Sequence, residues 1–186
     1  MRRWHVAAGL FALLAATVSV QPGAIASSRT QSASQCLAGE SVVYSCRFGS
    51  RIGSVCAGGG GAHYRFGKPG RAEIDIASAA DWSNVRIGMV TGQQGGSQHH
   101  IRFTQGDSHY IVYHGVDGQL ADRPGRTYSG VTQVLGPNGE WEGNSWNCKR
   151  GAQIDPGFED TVAAMVPEVL RPGLIETRGG AFDGWF

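Results

Sequence analysis

The sequence predicts an all-β fold. It is a small antiparallel barrel or sandwich of seven to nine short strands, held by two disulfides and followed by a short C-terminal helix. Three observations point to it. Short apolar segments recur along the chain, and the 29 glycines cluster between them as turns do. Cys36, Cys46 and Cys56 stand at ten-residue intervals, and Cys148 lies near the end of the strand-rich region. After Cys148 the apolar residues change to a helical period.

The first residues are not part of that fold. Arg2 and Arg3 precede an apolar run over Val6–Val20, and Ala24-Ile25-Ala26 is a small-x-small cleavage pattern. Residues 1–26 are therefore expected to be a signal peptide, with the mature chain starting at Ser27. The run is shorter than the ~20 apolar residues a bilayer span wants, so no retained membrane span is expected. No cysteine sits near the cleavage site to carry a lipid. Four cysteines in an exported chain read as two disulfides formed in an oxidising compartment, either the periplasm or outside the cell. What remains of the 186 residues after the first 26 suffices for one domain with a real core, and a monomer is expected. Lys and Arg total 16 and Asp and Glu 15, and the leader removes two arginines and no acid. A mature chain so near neutrality argues against a nucleic-acid partner and against a polybasic membrane patch.

Residues 27–35 are small and polar and read as a disordered leader. The β domain is assigned to 36–150. Its strands begin with Ser41–Cys46, where Val43 interrupts the alternation, and return through a turn near Gly49 and Ser50 as Ile52–Cys56. Ala62–Gly67 follows the glycine run, and Lys68-Pro69-Gly70 turns the chain into Arg71–Ala77, whose Ala72, Ile74 and Ile76 share a face. Residues 81–84 break the pattern before Val85–Val90. Gln98–Thr104 and Ser108–His114 form the clearest hairpin, with Gly106 where a type II′ turn needs glycine. That register opposes Phe103 to Tyr110, Ile101 to Val112, and His99 to His114. Gly115–Arg126 reads as a loop. Tyr128–Leu135 and Glu140–Lys149 close the domain across an Asn-Gly turn. Residues 151–170 carry Phe158, Val162, Met165, Val166 and Val169 at helical spacing, with Pro167 ending or kinking the helix. Residues 171–186 are Gly-rich and read as a flexible tail.

Hairpin geometry selects one disulfide pairing out of three. With a turn near Gly49, Cys46 lies across from about Ile52, and Cys56 is at the far end. A bridge needs Cα atoms roughly 4.4–6.8 Å apart, which rules against Cys46–Cys56. Cys36 precedes the first strand at the end where Cys56 stands. Cys36–Cys56 and Cys46–Cys148 are the expected bridges, the second bringing the last long strand beside the first.

The order CLAGESVVYSC, VC, YRFGKPG, IRFxxGxxYxVY, SGV and a late cysteine, covering Cys36 to Cys148, resembles a class of small exported Gram-negative β-proteins. That class carries no functional residues to transfer. In size, disulfides and β-architecture the chain is more loosely similar to periplasmic lysozyme-inhibitor barrels, whose inhibitory loop is matched only by Tyr128-Ser129-Gly130.

Function is less legible. The chain has no G-x-S-x-G turn, no C-x-x-C pair, and no lysine and helix after Gly58–Gly61 to make a phosphate loop. The expected role is a non-enzymatic envelope protein that binds a protein or glycan, with no cofactor. The alternatives are a lysozyme-inhibitor-like protein and, behind it, a hydrolase using His99, His109 or His114. His99 and His114 face each other and are the candidates for a metal site, but no third ligand beyond Asp117 is near, so no metal is expected. Trp141 and Trp146 lie five apart on one strand. Regular alternation puts one in the core and the other outside, unless a bulge at Gly143 shifts the phase. With Tyr128 they are the candidate partner-binding residues.

Overall fold

The computed structural model describes residues 34–176. The signal-peptide reading, most of the 27–35 leader and the last ten residues of the chain lie outside them. Within the described residues the fold is a two-sheet antiparallel β-sandwich closed by a short helix, as the sequence predicts.

The first sheet contains β1 (Ser41–Phe48), β2 (Arg51–Gly58), β3 (Gly61–Lys68) and β4 (Arg71–Ala77). Each is joined to the next by a two-residue turn, with Gly49, Gly59, Gly60 and Gly70 at positive φ. The second contains β5 (Val85–Thr91), β6 (Ser97–Gln105), β7 (Ser108–Val116), β8 (Thr127–Leu135) and β9 (Trp141–Asn147). The β6–β7 register is the expected one, with Phe103 opposite Tyr110, Ile101 opposite Val112 and His99 opposite His114.

Three irregularities have visible causes. Val43 is bulged out of the β1–β2 ladder, which is why alternation fails there. The β3–β4 ladder slips at Glu73, so Ile74 and Ile76 face the core while Ala72 is exposed, contrary to the shared face expected for the three. Between β8 and β9, Gly143 and Asn144 oppose Gln133 alone, the bulge that the sequence allowed for.

The described residues form ten strands rather than seven to nine. The additional pairing is β10 (Gln153–Ile154), which adds to the free edge of β1 through Tyr44–Ile154 and Ser45–Gln153. A two-residue strand has no alternation to read. Both bridges, Cys36–Cys56 and Cys46–Cys148, are those expected. The second does not join neighbouring strands, however: β9 is hydrogen-bonded only to β8, and the bridge ties the two sheets together. Asn84 links them elsewhere, donating to the Ala77 carbonyl at 2.9 Å and accepting from the Ala79 amide at 2.7 Å.

The core lies between the sheets. Tyr64 is fully buried and stacks on Tyr110 and Phe103 from the opposite sheet, at 5.2 and 6.0 Å between ring centroids. One side is filled by α1 (Phe158–Met165), which touches β1, β3, β5 and β6 and buries Phe158 and Val162. Glu159 and Asp160 sit in its first turn, where the helix dipole favours acids. Pro167 ends it early, so Val166 is buried while Val169 is exposed rather than on the apolar face.

The outer face of each sheet is sealed by a terminal segment. On the first, Gln35 is buried rather than part of a loose leader; its amide donates to Ser54 Oγ and its side chain to the Lys68 carbonyl. Glu40 takes both terminal nitrogens of buried Arg65. That hydrogen bond holds the Glu40 carboxyl below its ordinary value. On the second, residues 171–176 are not free tail. They form α2 (Arg171–Leu174), and Ile175 then bridges to Ile87. Glu176 accepts from His100 at 3.1 Å and from Arg102 at 2.9 and 2.6 Å. Burial alone would raise the Glu176 carboxyl, but these donors hold it below its ordinary value. Among the described residues no helix is long and apolar enough to cross a membrane.

Candidate functional site

Alternation along β6 and β7 divides the histidines. His99 and His114 point between the sheets, whereas His100 and His109 point to the outer face, so His99, His109 and His114 do not converge.

His99 and His114 stack 5.1 Å apart with their planes 8° from parallel. A metal lies in the plane of each imidazole it binds, and two stacked rings share no such point. The structure instead engages them with α1. His99 pairs with Glu159, and His114 meets Phe158 edge to face at 4.5 Å, its Nε2 buried without a partner among the described residues. Asp117, the ligand nearest in sequence, is paired with Arg126. Among the described residues the one group with metal-like spacing is Cys36, Glu40 and Cys56, and bridged cysteines offer no thiolate.

His109 is nearly fully buried. Its Nε2–H donates to the Gly136 carbonyl at 2.8 Å, which leaves Nδ1 to accept from the Thr104 hydroxyl at 2.9 Å. The pair has the form of a base beside a nucleophile, but the imidazole is walled in and Thr104 also accepts from Arg102.

Burial lowers the His114 pKa, with His99 adding to it, and burial with Arg102 lowers that of His109. Both groups take up a proton less readily folded than unfolded. Their stabilising contribution is therefore complete above about pH 6.5 and is lost as pH falls below that value toward their folded pKa values. Glu40, Asp75 and Glu176 are depressed carboxylates, whose contribution holds above their ordinary range and is lost only at more acid pH. The melting temperature is accordingly expected to fall as pH drops below about 6.5, with a shallower slope in His114→Gln. An unchanged slope in the variant would assign the effect elsewhere.

The three aromatic candidates do not form one surface. Tyr128 lies over its cross-strand partner Gly115, where a Cβ would stand 2.6 Å from the ring. Trp141 is exposed but lies over Gly136, at φ +92°, where a Cβ would meet its ring at 2.8 Å. Both rings fill space above glycines. Tyr128, Ser129 and Gly130 are paired strand residues of β8 with Ser129 buried, so they present no inhibitory loop.

Trp146 is different. It stands opposite Val131, facing inward, and packs on Phe66 at 4.9 Å. The β9 bulge places Trp141, opposite Leu135, on the same face, so Trp141 is outside because it lies beyond the end of the core. The rest of Trp146 lines a groove of about 540 Å³ where the sheets meet beside Cys46–Cys148. Phe48 and Asn147 also line it, with Arg47 from β1 and Lys149 and Arg150 from the segment after β9. No carboxylate does.

Elsewhere Arg51, Arg65, Arg102 and Arg126 pair with acids, and Arg86 and Arg171 bind backbone carbonyls. Arg47, Lys149 and Arg150 have no side-chain partner among the described residues. The sequence held a signal for this cluster. Cys46 and Cys148 are each followed by a cation, so the bridge itself brings Arg47 and Lys149 together.

No protein-family model, curated protein or solved structure matches the chain. Its function is read from this geometry.

Proposed function

We propose that the chain is an exported, non-enzymatic binding module of the cell envelope, and that its ligand-binding surface is the groove beside Cys46–Cys148. One observation carries the reading: three cations with no acid among them surround a half-buried tryptophan. Like charges held together repel one another, and a bound anion offsets that repulsion. A flat aromatic surface beside fixed charge is also how binding sites combine contact area with specificity. Two disulfides suit an oxidising compartment, either the periplasm or the exterior, reached through the signal peptide. The placement of the histidines supports binding over hydrolysis, because His109, which among the described residues hydrogen-bonds a hydroxyl, is buried with both nitrogens engaged.

The test is co-sedimentation of the mature protein with washed Gram-negative envelopes. The wild type is expected to sediment, and the variant carrying Arg47→Gln, Lys149→Gln and Arg150→Gln to remain in the supernatant. All three side chains are exposed, so the fold should tolerate their neutralisation.

A further inference from the structure

Resting on that reading of the groove, we propose that its ligand is an acidic saccharide: a sugar chain carrying carboxylates, held with one ring against Trp146 and its acid groups between Arg47 on one side and Lys149 and Arg150 on the other.

The groove has the parts such a ligand needs. The indole of Trp146 is propped against Phe66 at 4.9 Å, which fixes a flat apolar surface at the groove wall. The C–H face of a pyranose is a flat apolar surface of matching size, and stacking the two removes both from water at little conformational cost. Arg47 comes from β1 and the Lys149-Arg150 pair from the turn that leads out of β9, so a chain crossing the groove meets cations from two separate segments. Guanidinium groups take carboxylates in bidentate fashion, and lysine adds a mobile point charge.

Ser145 and Asn147 line the groove from the edge strand, while their side chains, alternate to Trp146, bond to Thr132 at 3.3 Å and to the Tyr113 hydroxyl at 3.0 Å on the other face of the sheet. A volume of about 540 Å³ lies in the range of small-ligand sites and admits a short stretch of sugar rings.

The lining also argues against an acidic peptide as the ligand. Peptide recognition relies on anchor side chains entering apolar pockets. No Leu, Ile, Val or Met lines this groove, and its aromatic surface is a wall rather than a hole.

The test is calorimetric titration of the mature protein with three probes: tetragalacturonate, the neutral tetrasaccharide galactotetraose, and hexa-aspartate. Tetragalacturonate is expected to bind saturably, with each other probe weaker by about tenfold or more, the loss typical of removing a principal contact. The triple glutamine variant is expected to lose about tenfold or more for tetragalacturonate. Trp146→Phe keeps an aromatic on Phe66 but shrinks the stacking face, and is expected to lose affinity several-fold while remaining cooperatively folded at the temperature of the titration.

Equal binding of hexa-aspartate would overturn the saccharide assignment in favour of an acidic protein partner. So would unchanged affinity in both variants, or no binding of tetragalacturonate. If tetragalacturonate fails while envelope sedimentation still requires the three cations, the groove remains the binding surface and the saccharide class falls. If sedimentation too is indifferent to the cations, the groove falls with it.

Discussion

Replacing Cys46 and Cys148 together with serine is expected to destabilise the domain by about 4–5 kcal/mol, the largest effect of any change considered. The bridge spans 102 residues of sequence, and in the chain-entropy model so long a loop restrains the unfolded state strongly. Native geometry adds to the loss. No backbone ladder runs between the sheets at this edge, since β1 pairs with β2 and β10 while β9 pairs only with β8. Without the bridge, the edge is left with contacts such as Phe66 on Trp146. Domains of this size have stabilities of roughly 5–15 kcal/mol, so the double variant approaches the threshold of folding. Cys36–Cys56 spans only 20 residues, and its removal is expected to cost about 3 kcal/mol. Urea denaturation of the two double variants checks the order. A larger loss from removing Cys36–Cys56 would mean that anchoring the N-terminal segment matters more than joining the sheets.

Phe158→Ala is expected to cost about 3–5 kcal/mol, in the range for emptying a buried aromatic site. Phe158 opens α1 and is 2% exposed. It meets Tyr44 of one sheet and His114 of the other edge to face, at 6.4 and 4.5 Å. Truncation leaves a void touching both sheets, removes the apolar partner of the half-buried His114 imidazole and loosens the helix that carries Glu159 to His99. Val169→Ala is the matched control. It shares the helical spacing in sequence, but it lies beyond Pro167 and is 84% exposed, so its cost should stay within about 0.5 kcal/mol. Thermal and chemical denaturation distinguish the two. Similar losses would contradict the boundary at Met165 and the account of what α1 buries.

The sequence was most informative where local rules are strict. A two-residue loop at Gly106-Asp107 fixes register, so the β6–β7 pairing and the facing of His99 and His114 follow from the loop alone. The disulfide pairing followed from the same kind of argument at Gly49-Ser50. What stayed hidden lacks apolar period. Gln35 and residues 171–176 bind their sheets through polar contacts, Gln35 with Ser54 and the Lys68 carbonyl and Glu176 with Arg102, and polar stretches of that kind read as leader and tail. β10 is too short to alternate. Of the three aromatic residues singled out as partner-binding candidates, Tyr128 and Trp141 are occupied by glycines on neighbouring backbone, a relation visible only once cross-strand pairs and turns are known. The groove needed Arg47 brought to Lys149 and Arg150 through the bridge.

The most direct test of the central claim, that this groove is the binding surface, is the affinity of the mature protein for washed envelopes as a function of salt, with and without its three cations. The account predicts wild-type binding that weakens steadily as salt rises, because the contacts are exposed charges. It predicts that neutralising Arg47, Lys149 and Arg150 abolishes both the binding and its salt dependence, whereas Tyr128→Ala leaves both in place. Binding that persists in the triple variant and is lost in Tyr128→Ala would contradict it and move the site to the outer face of the second sheet, where Tyr128 covers Gly115.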